Sequence, residues 1–285
     1  MKKLVGLVIM LVLSLAGSLQ AGDWGGYATA YGTYMNFNGS EVKDDGWVAT
    51  AYLSLGDGEH NTFEWGLSQT HIDYKQASDL DQTDFTIVYT NSNQLLPNHA
   101  FSFGFHYINT DDDLTDQGKI YFFKATYFRP QNWNAGIKLA YSDYSDSPVD
   151  LDVIQVEPHF GFYFSALGKR LYTESRFYYI HKDADVGTSM DNFYSFEQVL
   201  STYVGKADFK LSGWVGQQIF AVRNEGFVVY NLSDRYLGGV EFEAGYKLTP
   251  QVRAAININQ QWLEHVNYND KASQTIFTVS IGGSF

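Results

Sequence analysis

The chain has 285 residues, 45% of them hydrophobic and 17% aromatic, with 26 glycines, five prolines and no cysteine. A formal net charge of −13 argues against nucleic acid as a partner, and against an anionic membrane surface reached through basic patches. Without cysteine, neither a disulfide framework nor a thiolate metal site is available, so the fold rests on burial and hydrogen bonding.

The first element is an apolar run from Leu4 to Leu15, preceded by Lys2 and Lys3 and followed by the small residues Ala16, Gly17, Ser18 and Ala21. Residues 1–21 read as a secretory signal peptide, cut after Ala21 or Ser18, which leaves 22–285 as a single domain. No later stretch has the apolar length of a transmembrane helix.

Alternation of apolar and polar residues with period two predicts fourteen strands. They cover 25–37, 46–55, 62–74, 82–91, 99–109, 118–128 and 133–145, then 152–165, 170–181, 192–204, 208–220, 234–247, 251–262 and 272–285. Each matches the length of a tilted strand crossing a bilayer. Segments such as 82–91 are weak, and mergers among them would give twelve. Pro158 lies inside the eighth segment, where its missing N–H predicts a bulge, or a strand that begins at His159.

The connections alternate as well. Those after odd segments, such as QASDLDQ, TDDDLTDQ and VRNEGFVVYNLSD, are long and mostly acidic. Those after even segments, such as GDGEHN, ALGKR and GKA, are short and turn-like, with NSNQLLPNH the exception. Residues 222–234 form the longest outer loop and the one expected to fold inward.

Faces can be assigned strand by strand. Along 133–144, Trp133, Ala135, Ile137, Leu139 and Tyr141 read as facing lipid, and Gly136, Lys138, Ala140 and Ser142 as facing a lumen. In the last strand Phe277, Val279, Ile281 and Phe285 share one face, while Thr278, Ser280 and Ser284 share the other.

Signal peptide, alternating strands, two-sided loop asymmetry and a final strand ending in Phe285 together resemble bacterial outer-membrane β-barrel proteins. In strand number the chain is similar to the small monomeric fourteen-stranded porins. The resemblance implies an all-β, antiparallel up-and-down barrel with periplasmic short turns and a last strand paired to the first, around 27–37. It also implies recognition of the terminal strand by the barrel-insertion machinery, and contact with outer-membrane lipid.

Fourteen strands spaced about 4.8 Å and tilted about 40° give a backbone diameter of roughly 28 Å, wider than side chains fill unaided. The assigned pore-lining charges are Glu64, Asp84, Glu157, Glu174, Glu197, Glu241 and Glu243 against Lys124, Lys138, Arg176, Lys210, Lys247 and Arg253. They nearly cancel, which suits hydrated polar solutes better than a ring of one sign would. Lumenal Tyr52, Tyr172, Tyr178 and Trp214 either stack on sugar or nucleobase rings or fill space.

Enzymatic patterns are weak. No histidine is followed two positions later by serine, and there is no G-x-S-x-G elbow. His181, Asp183 and Asp185 lack a facing acidic pair, and Asp111, Asp112, Asp113 and Asp116 lack EF-hand spacing. His71, His106, His159 and His181 lie on separate segments, so no metal or cofactor is expected. The expected function is passive diffusion of small hydrophilic solutes; the alternative is a non-conducting barrel with a structural, adhesion or polysaccharide-export role.

Overall fold

The computed structural model describes residues 24–145, 149–166 and 168–285; the signal peptide read over 1–21 lies outside them. In chain order the strands are β1 (Gly25–Asn38), β2 (Lys43–Gly56), β3 (Asn61–Tyr74), β4 (Leu80–Ser92), β5 (His99–Thr110), β6 (Lys119–Arg129), β7 (Trp133–Asp143) and β8 (Asp152–Ala166). Then follow β9 (Lys169–Lys182), β10 (Asn192–Val204), β11 (Ala207–Gln218), the short β12 (Val222–Arg223) and β13 (Val228–Val229), β14 (Asp234–Lys247), β15 (Val252–His265) and β16 (Asp270–Ser284).

All but β12 and β13 close into one antiparallel, fourteen-stranded barrel in which each strand pairs with its sequence neighbours. Segment 82–91 is the independent strand β4. The ring is sealed by β1 and β16, paired from Tyr27↔Ser284 to Asn38↔Ser273. Beyond that register Gly26 and Phe285 exchange backbone hydrogen bonds of 2.9 and 3.0 Å, so the terminal phenylalanine is tied down.

Closure leaves no edge strand, and the pleat then sorts the faces. Ile137, Leu139 and Tyr141 on β7 are exposed on the outside, as are Phe277, Val279 and Ile281 on β16, whereas Lys138 and Ala140 are buried within. An apolar outer belt of this kind suits a hydrocarbon surround, where a charge would cost about 2–4 kcal/mol at mid-depth.

Two expectations need correcting. Pro158 causes neither a bulge nor a late start: β8 begins at Asp152, and Pro158 pairs with Ile137 of β7. Towards β9 the ladder passes from Val156↔Tyr179 to His159↔Arg176, an interruption without a change of register. A missing donor removes a bond without requiring an extra residue. The outer connections left between the predicted strands at 38–45 and 263–271 are also largely absorbed into longer strands, leaving 39–42 and 266–269 as turns. Short loops remain at the other end, at 130–132, 205–206 and 248–251.

Among the described residues three register shifts disturb the ladder, each near the outer rim. They fall between Lys43 and Gly46 on β2, Val215 and Gln218 on β11, and Tyr236 and Gly238 on β14. A one-residue bulge exchanges the faces of everything beyond it. Val48, Thr50 and Tyr52 line the lumen from even positions, and the bulge turns odd-numbered Lys43 inward beside them. The bulge on β14 does the same for Asp234 and Tyr236, which are out of step with lumenal Glu241 and Glu243.

Candidate functional site

The connection 219–233 between β11 and β14 turns into the barrel. Ile219, Phe220, Ala221 and Val222 are fully buried there, against lumenal Ile108, Ile120, Phe122, Val153, Ile180 and Phe193. These strand positions are apolar where a water-filled lumen would want polar groups, and the loop covers them. Burying such a side chain stabilises by about 1.5–3 kcal/mol. The loop is therefore part of the folded wall.

Polar groups fix its height. Gln155 and Val222 exchange hydrogen bonds of 2.9 and 2.8 Å, and Lys138 Nζ donates to the Val222 carbonyl at 3.1 Å while paired with Glu157 at 2.6 Å. Arg223 pairs with Glu197 at 2.7 Å, beneath the rings of Trp214 and Tyr230. At the loop tip Asn224, Glu225 and Gly226 all have positive φ, at 45°, 54° and 82°. Such a run costs of order 1 kcal/mol or more per non-glycine residue. It is held by Lys124, whose Nζ lies 2.6 Å from Glu225 Oε1. Desolvation in the lumen opposes the Glu225 charge, but Lys124 and Lys138 outweigh it and hold the carboxyl at about 2.

Most of the predicted lumenal charges thus fall into two groups. Lys124, Lys138, Glu157 and Glu197 bind or brace the loop. Glu174 and Arg176 pair at 2.6 Å beside it, with Tyr172 donating to Glu174. Asp84, Lys210, Glu241 and Glu243 border a cavity of about 550 Å³ that the loop leaves open on the side of β14, β15, β16, β1, β2 and β3. Here Lys210 pairs with Glu241 at 3.0 Å, and Arg253 bridges Glu243 at 2.7 Å and Asp208 at 2.5 Å. Glu64 accepts from Tyr52 at 2.5 Å, and Lys247 is exposed at the end of β14.

Water access is graded along the barrel. In the periplasmic half Tyr31 is 37% exposed although it faces the lumen, and the side chains of Lys210 and Arg253 are 35% and 28% exposed. In the outer half Lys138 falls to 2% and Lys182 to 0%.

A second cavity of about 460 Å³ opens at the outer rim, lined in part by Tyr74, Asp79, Asp111, Asp112, His265 and Tyr268. The two cavities share Lys43, Leu80, Leu232 and Asp234, so these four side chains form the partition between them. Lys43 Nζ meets Asp234 Oδ2 at 2.5 Å, both almost fully buried. His265 Nδ1 holds the other Asp234 oxygen at 2.6 Å, and Ser40 links His265 to Asp270. The pair reaches across the arc of β14, β15, β16, β1 and β2. Sequence alternation missed it, because both partners lie beyond bulges.

The other candidates stay apart. His181 contacts Asn192 at 3.1 Å, while Asp183 accepts the Asp152 backbone N–H at 2.8 Å. His71, Asp73 and Asp79 lie near one another at the rim of β3, but Asp81 and Asp73 already approach the two His71 ring nitrogens at 2.9 and 3.4 Å.

No protein-family model matches the sequence, and no curated protein matches it. Solved structures share its fold. A bacterial polysaccharide outer membrane secretin is 8% identical, with 93% of this chain and 100% of that one covered and a TM-score of 0.58. A Pseudomonas aeruginosa FadL homologue is 8% identical over 91% and 90%, with a TM-score of 0.52. Omp33 of Acinetobacter baumannii is 10% identical over 92% and 99%, with a TM-score of 0.48. Such identities carry the fold alone. The architecture is that of a bacterial outer-membrane β-barrel. This chain is a fourteen-stranded protein of that class, and its place is the outer membrane.

Proposed function

We propose that the protein is a channel for passive diffusion of small hydrophilic solutes, with a path that runs beside the inturned loop. The observation that carries this reading is the partition: a wet cavity and an outer vestibule separated by one ion pair and two leucines. Asp84, Lys210, Glu241, Glu243 and Arg253 would line the path as balanced charge pairs, which suits polar solutes of low net charge. Lipid surrounds the barrel, and the strand ending at Phe285 is the segment that the insertion machinery would recognise.

The buried loop favours a second reading, a non-conducting barrel with a structural, adhesion or export role; one solved structure of similar fold is a bacterial polysaccharide outer membrane secretin. Planar-bilayer recording separates the two. The channel reading expects discrete conductance steps from the refolded protein, and larger steps from a Lys43→Ala/Asp234→Ala double variant that joins the cavities. Electrical silence from both, in protein that still shows heat-modifiable migration, would sink it.

A further inference from the structure

At the outer rim β3 and β4 form a hairpin that brings His71 and Asp73 of one strand beside Asp79 and Asp81 at the start of the other. His71 pairs with Asp81, and Ile72 with Leu80. Continued by one step, that register sets Asp73 opposite Asp79, two like charges that disfavour the turn unless something neutralises them. Lys75 does not: its Nζ lies 3.8 Å from Asp44 and donates to the Ser40 carbonyl at 2.8 Å. Among the described residues no lysine or arginine pairs with Asp73, Asp79 or Asp81; the group they surround is an imidazole.

The two carboxylates nearest His71 play different parts. Asp81 Oδ1 lies 2.9 Å from Nδ1, a hydrogen bond that puts the ring proton on Nδ1 and leaves Nε2 with its lone pair. Asp73 Oδ1 lies 3.4 Å from Nε2, longer than an ordinary hydrogen bond. That separation is the edge of a tetrahedron whose metal–ligand bonds are about 2.0–2.1 Å. Asp79 completes the set, since one ligand atom from each of His71, Asp73 and Asp79 lies within 4.8 Å of the other two. The cluster is braced: the Tyr74 backbone N–H donates to Asp79 Oδ1 at 3.1 Å, and the Trp47 ring packs on the imidazole with centroids 5.9 Å apart. Carboxylates alone would suit a hard cation, whereas the imidazole turns the set towards a borderline one. Comparing the histidines with one another misses it, because the partners of His71 are carboxylates of its own hairpin.

We infer that His71 Nε2, Asp73 and Asp79 bind a Zn²⁺ ion at the outer rim, with Asp81 orienting the imidazole from behind and the fourth coordination position open. Asp79 also lines the outer cavity, so the ion sits at the lip of the vestibule, and its binding does not depend on conduction. Isothermal titration of the full, tag-free barrel in detergent tests this with zinc chloride, and with calcium chloride as a hard-cation comparator. Zn²⁺ binds, and Ca²⁺ binds about tenfold or more weakly. His71→Ala and Asp79→Asn each lose about tenfold or more in Zn²⁺ affinity, and Asp81→Asn, which touches only the far ring nitrogen, loses roughly tenfold. His181→Ala, at a rim histidine held by Asn192 instead, leaves the affinity unchanged. Co²⁺ in place of Zn²⁺ adds a spectroscopic readout, the visible absorption of a four-coordinate ion, which Asp79→Asn weakens. No Zn²⁺ binding by heat-modifiable protein, equal binding of Ca²⁺, affinity that survives both His71→Ala and Asp79→Asn, or an equal loss in His181→Ala overturns the assignment.

Discussion

Phe122 shows how tightly a single side chain controls the lumen. A Cβ on Gly104 of β5 would lie 1.8 Å from its ring, and one on Gly226 at the loop tip 2.2 Å from it. Gly226 also needs its positive φ of 82°, so glycine is required there twice over. Phe122→Ala should lower barrel stability by about 3 kcal/mol, read from thermal unfolding, and open residues 219–233 to a protease that the parent resists. Glu225 is the loop's other anchor. Its carboxyl at about 2 lies below the ordinary ~4.3, so the Lys124 tether contributes fully above about pH 4.3 and is lost as pH falls towards 2. Protease resistance of the loop should therefore be flat from pH 8 to about 5 and fall only in stronger acid; a decline near neutrality would refute this anchor.

Among the strands, β8 carries its proline on the lipid face, with the β9 ladder interrupted beside it. Pro158→Val should restore a donor and add about 1 kcal/mol to stability, seen as a higher urea midpoint in lipid vesicles; a lower midpoint would mean that the ring supplies something the ladder does not. The strands themselves were legible because a bilayer outside and polar groups inside impose period two on nearly every segment. Lys138, Glu174 and Arg253 could be placed from alternation alone. Lys43 and Asp234 could not, since period two is blind to a residue inserted in one strand and not in its partner. The loop's destination was legible only from its length: nothing in VRNEGFVVYNLSD names the apolar lumenal positions of β4 to β10 that receive it.

The whole molecule depends on closure. Deleting Phe285 removes both hydrogen bonds to Gly26 and the ring that packs where a Cβ on Gly26 would otherwise stand. Truncated protein should assemble into lipid vesicles more slowly than the parent, as followed by heat-modifiable mobility, with the folded fraction reduced; an unchanged rate would detach the last residue from assembly. Closure also explains why the fold was readable while the cargo was not, because strand number and facing are set by the membrane, whereas selectivity is set by a few inward side chains. The loop packs most heavily on the arc from β4 to β10, and reaches the arc from β15 through β1 to β3 by fewer side chains, Phe227 against Tyr52, Tyr230 at Gln261, and Leu232. Such a shell is mechanically anisotropic: lateral tension in the surrounding bilayer would bend the more lightly braced arc first and change the cross-section of the passage before it strained the buttressed side.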